Sequence, residues 1–345
     1  MRIAVLGVGL IGGSVALAAG RRLDAHVVGW DADPQAIATA KDRGVIDAGI
    51  AAPSDASGVD LWIVATPVAT LEEHVRSALA VAGPDAVVTD VGSTKRALVE
   101  AVGDRSFIGG HPLVGAETAG VAHAREALFE GATWYLTPRP DSPGDKYERL
   151  HRFVSALGAV PTAIGHDEHD RVMAAVSHLP HVLANVLVAQ AHAALGGDTM
   201  PATGGSFRDA TRVAGANPPL WAQIYAENAQ ALGVQLDQVV AALADVRGRL
   251  GDLEAWQRRA AEQRGKLLEV DSHGGPLAEL RVVVPNRPGV VADLALALGR
   301  AGINISDMSL APAFDNSVGT VALWVSVTDA DRARALVAEK GLTFA

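Results

Sequence analysis

Residues 2–13 read RIAVLGVGLIGG. A short apolar run rich in branched side chains stops at Gly7, glycines recur at Gly9 and Gly12, and residues 14–19 have helical composition. A lone G-x-G-x-x-G is weak evidence, but between a strand and a helix it is a strong constraint on the fold. Gly7 suits the tight turn, Gly9 lets backbone N–H groups approach a pyrophosphate, and Gly12 lets helix and strand pack closely. Leu10 and Ile11 lie at the helix N-terminus, whose dipole favours an anion. Residues 26–30 are expected to form a second strand, ending at Asp31. A carboxylate there accepts hydrogen bonds from ribose hydroxyls and repels a 2′-phosphate. Gly7, Gly9, Leu10, Ile11, Gly12 and Asp31 are therefore expected to bind NAD⁺ in preference to NADP⁺. The bland alternative is a glycine-rich turn with an N-capping Asp, but strand, glycines, helix and acid are all in register.

The same N-terminus has an early Arg, an apolar run and small residues near Ala18 and Ala19, as a signal peptide does. Glycines this dense weaken a free-standing apolar helix, so a leader is not expected. No other apolar stretch is expected to span a bilayer. At 345 residues the chain is long for one core, and two or three domains are expected. The net charge is −10 and no basic tract occurs, which argues against nucleic acid and anionic membrane as partners. The absence of cysteine excludes disulfides, thiolate metal sites and cysteine nucleophiles. Charge and cysteine content together predict a cytoplasmic protein.

Residues 61–66 (LWIVAT), 86–90, 107–108, 133–136 and 160–164 continue the strand pattern, so a doubly wound domain is expected over 1–166. Ligands of such sheets bind beyond the carboxyl ends of the strands. Thr66, Ser93 and His111 are each expected to follow a strand end. His111 lies in GGHPLVGAETAGV, and its glycine neighbours are expected to leave room for a substrate beside the nicotinamide. From 167 to 270 the strand pattern gives way to helical apolar spacing, at 172–194, 220–250 and 253–267, with a Gly- and Thr-rich break at 202–214. Pro180 predicts a kink in the first of these. The apolar faces suit a subunit boundary, and a homodimer is expected. Residues 277–345 read βαββαβ, a ferredoxin-like unit.

His166, His169, His178 and His181, with Asp167, Glu168 and Asp170 beside them, raise the question of a metal. HxxH alone is no metal signature, and no metal is expected. Residues 166–171 are expected to be a solvated first helical turn, with His166 and His169 bonded to neighbours. His178 and His181, flanking the kink, are expected on the substrate side. Arg208 and Arg212 flank Asp209 just after Gly205. Either Arg is a surface charge or the bidentate clamp of a carboxylate.

Three motifs together are more specific than the glycine fingerprint: Gly109-Gly110-His111-Pro112 with Gly115 and Gly120, Ser177-His178-Leu179-Pro180-His181, and Gly204-Gly205 before Phe207-Arg208-Asp209-Ala210-Thr211-Arg212. In these the chain resembles the prephenate/arogenate dehydrogenase family of tyrosine biosynthesis over roughly its first three quarters, and its last unit resembles an ACT domain. The resemblance implies an α/β Rossmann domain (1–166), an all-α substrate and dimerisation domain (167–270) and a small α+β ACT-like regulatory domain (277–345). It implies NAD⁺-dependent oxidative decarboxylation of prephenate. His111 would be the partner of the 4-hydroxyl, Ser93 would bond near that hydroxyl and the nicotinamide, and Arg212 would hold the ring carboxylate. His178, His181, Asp209, Gly205 and Arg208 would form the supporting wall, and Thr66 would line the cofactor. Asn286, Arg287, Pro288, Gly289 and Asn304 would frame an aromatic amino-acid effector, tyrosine by end-product logic. Arogenate is the alternative substrate, and the cationic Arg208 and Arg212 lean toward prephenate. A nucleotide-binding sensor without turnover is the alternative from another class.

Overall fold

The structure is a computed structural model that describes residues 1–115, 118–196, 203–271, 276–287, 290–312 and 317–345. Two compact units emerge, one from residues 1–188 and 213–239, the other from 189–212 and 240–345.

The first unit opens with β1 (Arg2–Leu6), α1 (Leu10–Leu23), β2 (His26–Trp30), α2 (Pro34–Asp42), β3 (Ala48–Gly49), β4 (Leu61–Val64), α3 (Val68–Val81), β5 (Val87–Asp90) and α4 (Arg96–Val102). The strands form one parallel sheet in the order β3-β2-β1-β4-β5. Both faces are covered, so the strands carry apolar side chains at every position rather than at alternate ones. Ile3, Val5, Leu61 and Ile63 enter one core with Val15 and Ala19 of α1, while Ala4, Leu6, Trp62 and Val64 enter the other with Leu71 and Val75 of α3.

The strands that follow do not extend this sheet, contrary to the expectation of a continuing doubly wound pattern. Phe107 makes only an isolated parallel bridge to Val88. β6 (Gly109–Pro112), β7 (Thr133–Thr137) and β8 (Val160–Ala163) form a separate three-stranded sheet, with β6 antiparallel to β7 and α5 (Gly144–Ala156) between β7 and β8. The reason is local. The polar backbone groups of Gly110 are taken by side chains and not by a β5 ladder: its N–H donates to Asp90 Oδ1 (3.0 Å) and its carbonyl accepts from Lys95 Nζ (2.8 Å).

A continuous helical run then covers 166–195: α6 (His166–Met173), a π-helical turn at Ala174–His178, and α7 (Leu179–Leu195). The wide turn sits just ahead of Pro180, where an irregularity was expected. The run is also long and apolar enough to cross a membrane by length and composition, which corrects the expectation that no further stretch would be. α9 (Pro218–Glu227) and α10 (Ala229–Gly248), introduced by Pro218 at the first helical position and broken at Asn228, replace the single helix expected over 220–250.

The second unit holds α8 (Gly205–Thr211), a helix inside the expected break, and α11 (Glu254–Asp271). β9 (Leu277–Pro285), α12 (Val290–Arg300), β10 (Ile305–Pro312), β11 (Val318–Ser326), α13 (Ala330–Glu339) and β12 (Thr343–Phe344) follow in the expected βαββαβ order, paired β10-β11-β9-β12. Leu280, Val282 and Val284 alternate onto one face with Val321, Leu323 and Val325, against Leu294, Leu298 and Val337 of the two helices. Trp324 is on the alternate positions, with the Arg264 guanidinium 5.2 Å from its ring centre.

Candidate active site

The β1–α1 turn has the chemistry that a dinucleotide needs. Gly7 has φ +94°, and a Cβ there would lie 2.5 Å from the Ala65 carbonyl oxygen. A Cβ on Gly12 would lie 2.0 Å from the Gly7 carbonyl, so only glycine permits the helix to start this close to the strand. Gly9 caps α1 with no side-chain bond, the first turn carries no acid, and nothing stands within 4 Å of where its Cβ would be. The open end of the helix, next to Leu10 and Ile11, is thus free for an anion. Asp31 is held by the Val8 N–H (2.7 Å on Oδ2) and the Asp33 N–H (2.9 Å on Oδ1), which fixes its carboxylate over the turn. Thr66 Oγ1, just past β4, is buried with no hydrogen-bond partner, as a hydroxyl reserved for a ligand would be. These residues fit NAD⁺.

His111 does not follow a strand end, as expected, but lies within β6, directly opposite Tyr135 of β7. Nor do its two preceding glycines make room for a ligand. A Cβ on Gly109 would lie 2.4 Å from Thr137 Oγ1, and one on Gly110 would lie 2.5 Å from the Asp90 carbonyl oxygen. They let β6 close onto the end of β5. Gly115 and Gly120 have open space beside them. Beneath the strand lies a fully buried ion pair of Lys95 and Asp90. Burial lowers the Lys95 ammonium, against the pull of Asp90. The pair holds both polar groups of Gly110 and thereby fixes the backbone that carries His111. Ser93 is half-buried in the loop between β5 and α4.

The His111 ring is half-buried, and its Nδ1 lies 2.9 Å from Nε2 of His169. His169 is fully buried, edge-on to both His111 and Tyr135, with its Nδ1 2.7 Å from Asp170 Oδ1. This corrects the expectation of a solvated turn at 166–171: His169, Asp170, Met173, Ala174 and His178 form the buried stripe of the helical run. The Asp170 carboxylate also accepts from the Lys95 and Arg96 N–H groups, capping α4 from another element. Burial pulls that carboxyl upward, but the bonds from His169, Arg96 and Lys95 outweigh it and hold it below the ordinary range. Burial, and then the charge of His169, Lys95 and His178, puts His111 well below a normal histidine. Burial lowers His169 as well, against the pull of Asp170. His166 instead lies near Glu100 (4.0 Å) and Asp167 (3.7 Å) at the surface.

His178 is buried, 3.1 Å through Nδ1 from Asn228 Nδ2, which also donates to the Asp170 carbonyl. Burial lowers it to about 4. His181 stacks on Trp221, ring centres 3.5 Å apart, while His178 meets the same indole edge-on. The structure therefore brings His111, His169, Asp170, Asn228 and His178 together in one network. Arg208 and Asp209 on α8 and Arg212 at its C-cap belong to the second unit and are exposed, and Gly205 is half-buried. Asn286, Arg287 and Asn304 are at the ends of β9 and β10, and Pro288 and Gly289 lie outside the described residues. His169, Asp170, Lys95, Asp90 and Asn228 were not among the expected site residues. The spacing of Asp170, Ala174 and His178, four apart with apolar Met173 beside them, is the signal that could have revealed the first two.

Family models match in three consecutive stretches: the nucleotide-binding domain of prephenate dehydrogenase over residues 15–162, its dimerization domain over 166–257, and the ACT domain over 278–339. A prephenate dehydrogenase of Bacillus subtilis is 32% identical over 96% of this chain and 94% of its own length. Among solved structures, the prephenate dehydrogenase of A. aeolicus in complex with hydroxyphenyl propionate and NAD⁺ is similar at a TM-score of 0.69 and 30% identity, covering 78% of this chain and 98% of that one. The arogenate dehydrogenase of Synechocystis is similar at a TM-score of 0.67 and 26% identity, covering 77% and 98%.

Proposed function

The chain belongs to the prephenate dehydrogenase family, and on that premise we propose that it catalyses the NAD⁺-dependent oxidative decarboxylation of prephenate to 4-hydroxyphenylpyruvate in tyrosine biosynthesis. The observation that carries this reading is His111: an imidazole kept neutral by burial, tied through Gly110 to the carboxyl end of β5, at the edge of a sheet whose first turn is built for a dinucleotide. NAD⁺, held by Gly7, Gly9, Leu10, Ile11, Gly12, Asp31 and Thr66, supplies the hydride acceptor. The His111 Nε2 takes the 4-hydroxyl proton as C4 becomes carbonyl-like and returns it as the ring, losing its carboxylate as CO₂, becomes a phenol. Ser93 bonds the same hydroxyl. Arg212, with Arg208, Asp209 and Gly205 around it, orients the carboxylates. A clamp that held ground and transition states equally would lower KM without raising kcat, so the departing carboxylate is best held loosely. His178 and His181 form the polar wall.

Residues 1–166, 167–270 and 277–345 are taken as the nucleotide, substrate and effector-binding domains. The exposed apolar side chains of Val176, Val186, Leu187, Val240, Leu243 and Leu250 support a homodimer through the middle domain. The ACT domain, with Asn286, Arg287, Pro288, Gly289 and Asn304, would bind an aromatic amino acid, tyrosine foremost, and the cytoplasm is the expected compartment. Arogenate remains the second reading because the Synechocystis relative is named for it. Initial rates with prephenate and arogenate, each with NAD⁺ and NADP⁺, test the proposal. The expected order places prephenate with NAD⁺ first, and no turnover of either substrate would overturn it.

A further inference from the structure

The ring that would abstract the proton is not free to choose which nitrogen carries its own hydrogen. Asp170 offers only acceptor oxygens to its surroundings, since both already receive backbone N–H groups at the start of α4. Its Oδ1 must therefore receive the Nδ1–H of His169 at 2.7 Å. A neutral imidazole has one N–H, so the Nε2 of His169 is left with a lone pair. The only atom that this lone pair meets among the described residues is Nδ1 of His111, at 2.9 Å. That nitrogen must then carry the hydrogen of His111. Burial, which disfavours a charged His169, removes the alternative in which His169 donates from both nitrogens. The Nε2 of His111 is left unprotonated and makes no hydrogen bond among the described residues.

We propose that His169 and Asp170 are positioning residues that lock His111 in its Nδ1–H tautomer, so that Nε2 is the basic atom offered to the substrate hydroxyl. The proposal rests on the reading of His111 as the base. His169 cannot swing away to break the chain, because Tyr135, opposite His111 on β7, closes the other side of its ring at a centroid distance of 5.5 Å. When Nε2 accepts the proton, the Nδ1–H of the resulting imidazolium already points at an acceptor backed by a buried carboxylate. The new charge is thus met without reorganisation. No bond to carbon forms or breaks in this step, and the proton returns along the same path when the phenol forms.

The test compares three variants in the full-length enzyme. His169→Phe keeps the flat ring packed against Tyr135 and removes the acceptor. His169→Gln places an amide oxygen near the position of Nε2 and restores it. His111→Asn reports on the base itself. With His169→Phe, kcat should fall by roughly 10²-fold or more, while KM for prephenate and the affinity for NAD⁺ stay within about twofold. His169→Gln should recover at least tenfold of that loss, a rescue that a purely structural role would not give. Nitrogen-15 spectra of histidine-labelled protein, with the His111 signals assigned by their loss in His111→Asn, read the tautomer directly. They should show Nδ1–H in the wild type and a mixture in His169→Phe. An Nε2–H tautomer in the wild type, or an unchanged kcat in His169→Phe beside an inactive His111→Asn, would overturn the proposal and leave the base reading standing. A fully active His111→Asn would instead overturn the base reading, and the spectra would still decide the tautomer.

Discussion

Replacing Lys95 by Met removes one half of an ion pair in which both side chains are completely buried. Methionine fills the stem's volume with an unbranched apolar chain, so packing is largely kept. What is lost is electrical. Asp90 would remain in the interior with only the N–H groups of Gly110 and Gly92 for support, and the Gly110 carbonyl would lose its donor. Breaking a buried pair from one side costs about 3–5 kcal/mol, and an unsatisfied buried carbonyl about 1–3 kcal/mol. Together these approach the whole stability of an ordinary domain, about 5–15 kcal/mol. The double variant Asp90→Asn with Lys95→Met removes the stranded charge while its amide oxygen can still accept from Gly110, so roughly 2–3 kcal/mol should return. Urea unfolding of the wild type, both singles and the double closes the cycle. In any variant that folds, kcat should fall with NAD⁺ affinity nearly unchanged, because β6 loses its anchor and the Gly7–Gly12 turn is untouched. A Lys95→Met variant that lost less than about 1 kcal/mol, or singles that simply added in the double, would refute the clamp.

Three further outcomes follow from the same geometry. His178 is lowered to about 4 in the folded protein, against about 6.5 unfolded, so its contribution to stability is complete above pH 6.5 and drains away as the pH falls toward 4. The loss should approach roughly 3 kcal/mol and be smaller in His178→Gln, and unfolding curves that superimpose at pH 7 and pH 4.5 would contradict it. Replacing Asp31 by Ser together with Ala32→Arg should shift preference toward NADP⁺ by about tenfold or more in the ratio of kcat/KM values, and a wild type that already favours NADP⁺ would remove the role given to Asp31. Arg212→Ala should raise KM for prephenate by about thirtyfold or more, corresponding to at least about 2 kcal/mol, and an unaltered KM would move the clamp to Arg208.

The parts legible in the sequence were those whose signal is local. The Gly7–Gly12 turn, Asp31 at the end of β2 and the βαββαβ order of the last unit all depend on residues a few positions apart. The parts that stayed hidden depend on long-range pairing. HDEHDR looks like a solvated helix start because four of its six residues are charged or acidic at a glance, yet His169 and Asp170 fall on the stripe that turns inward. Lys95 carries no local signal because its partner, Asp90, and the strand that it supports are known only once β5 and β6 come together. Gly109 and Gly110 promised open space, and sterically they mean the reverse, since the chain on the far side fills it. The antiparallel sheet of β6 and β7 escaped for a related reason: a short apolar run is the same in either direction.

Asp170 completes the start of α4 from a position 74 residues further along, and His169 reaches His111 across 58. On a ribosome those distances become times. At about 5–20 residues per second, the nascent Rossmann sheet has several seconds in which α4 begins with bare N–H groups and the His111 Nδ1 lacks its neighbour His169. A protein cut at the natural-looking seam after residue 162 would remain in that state permanently. The nucleotide fold can thus precede the network around His111, the proposed base, during synthesis, so the order of synthesis separates the turn that fits a cofactor from the residues proposed to use it.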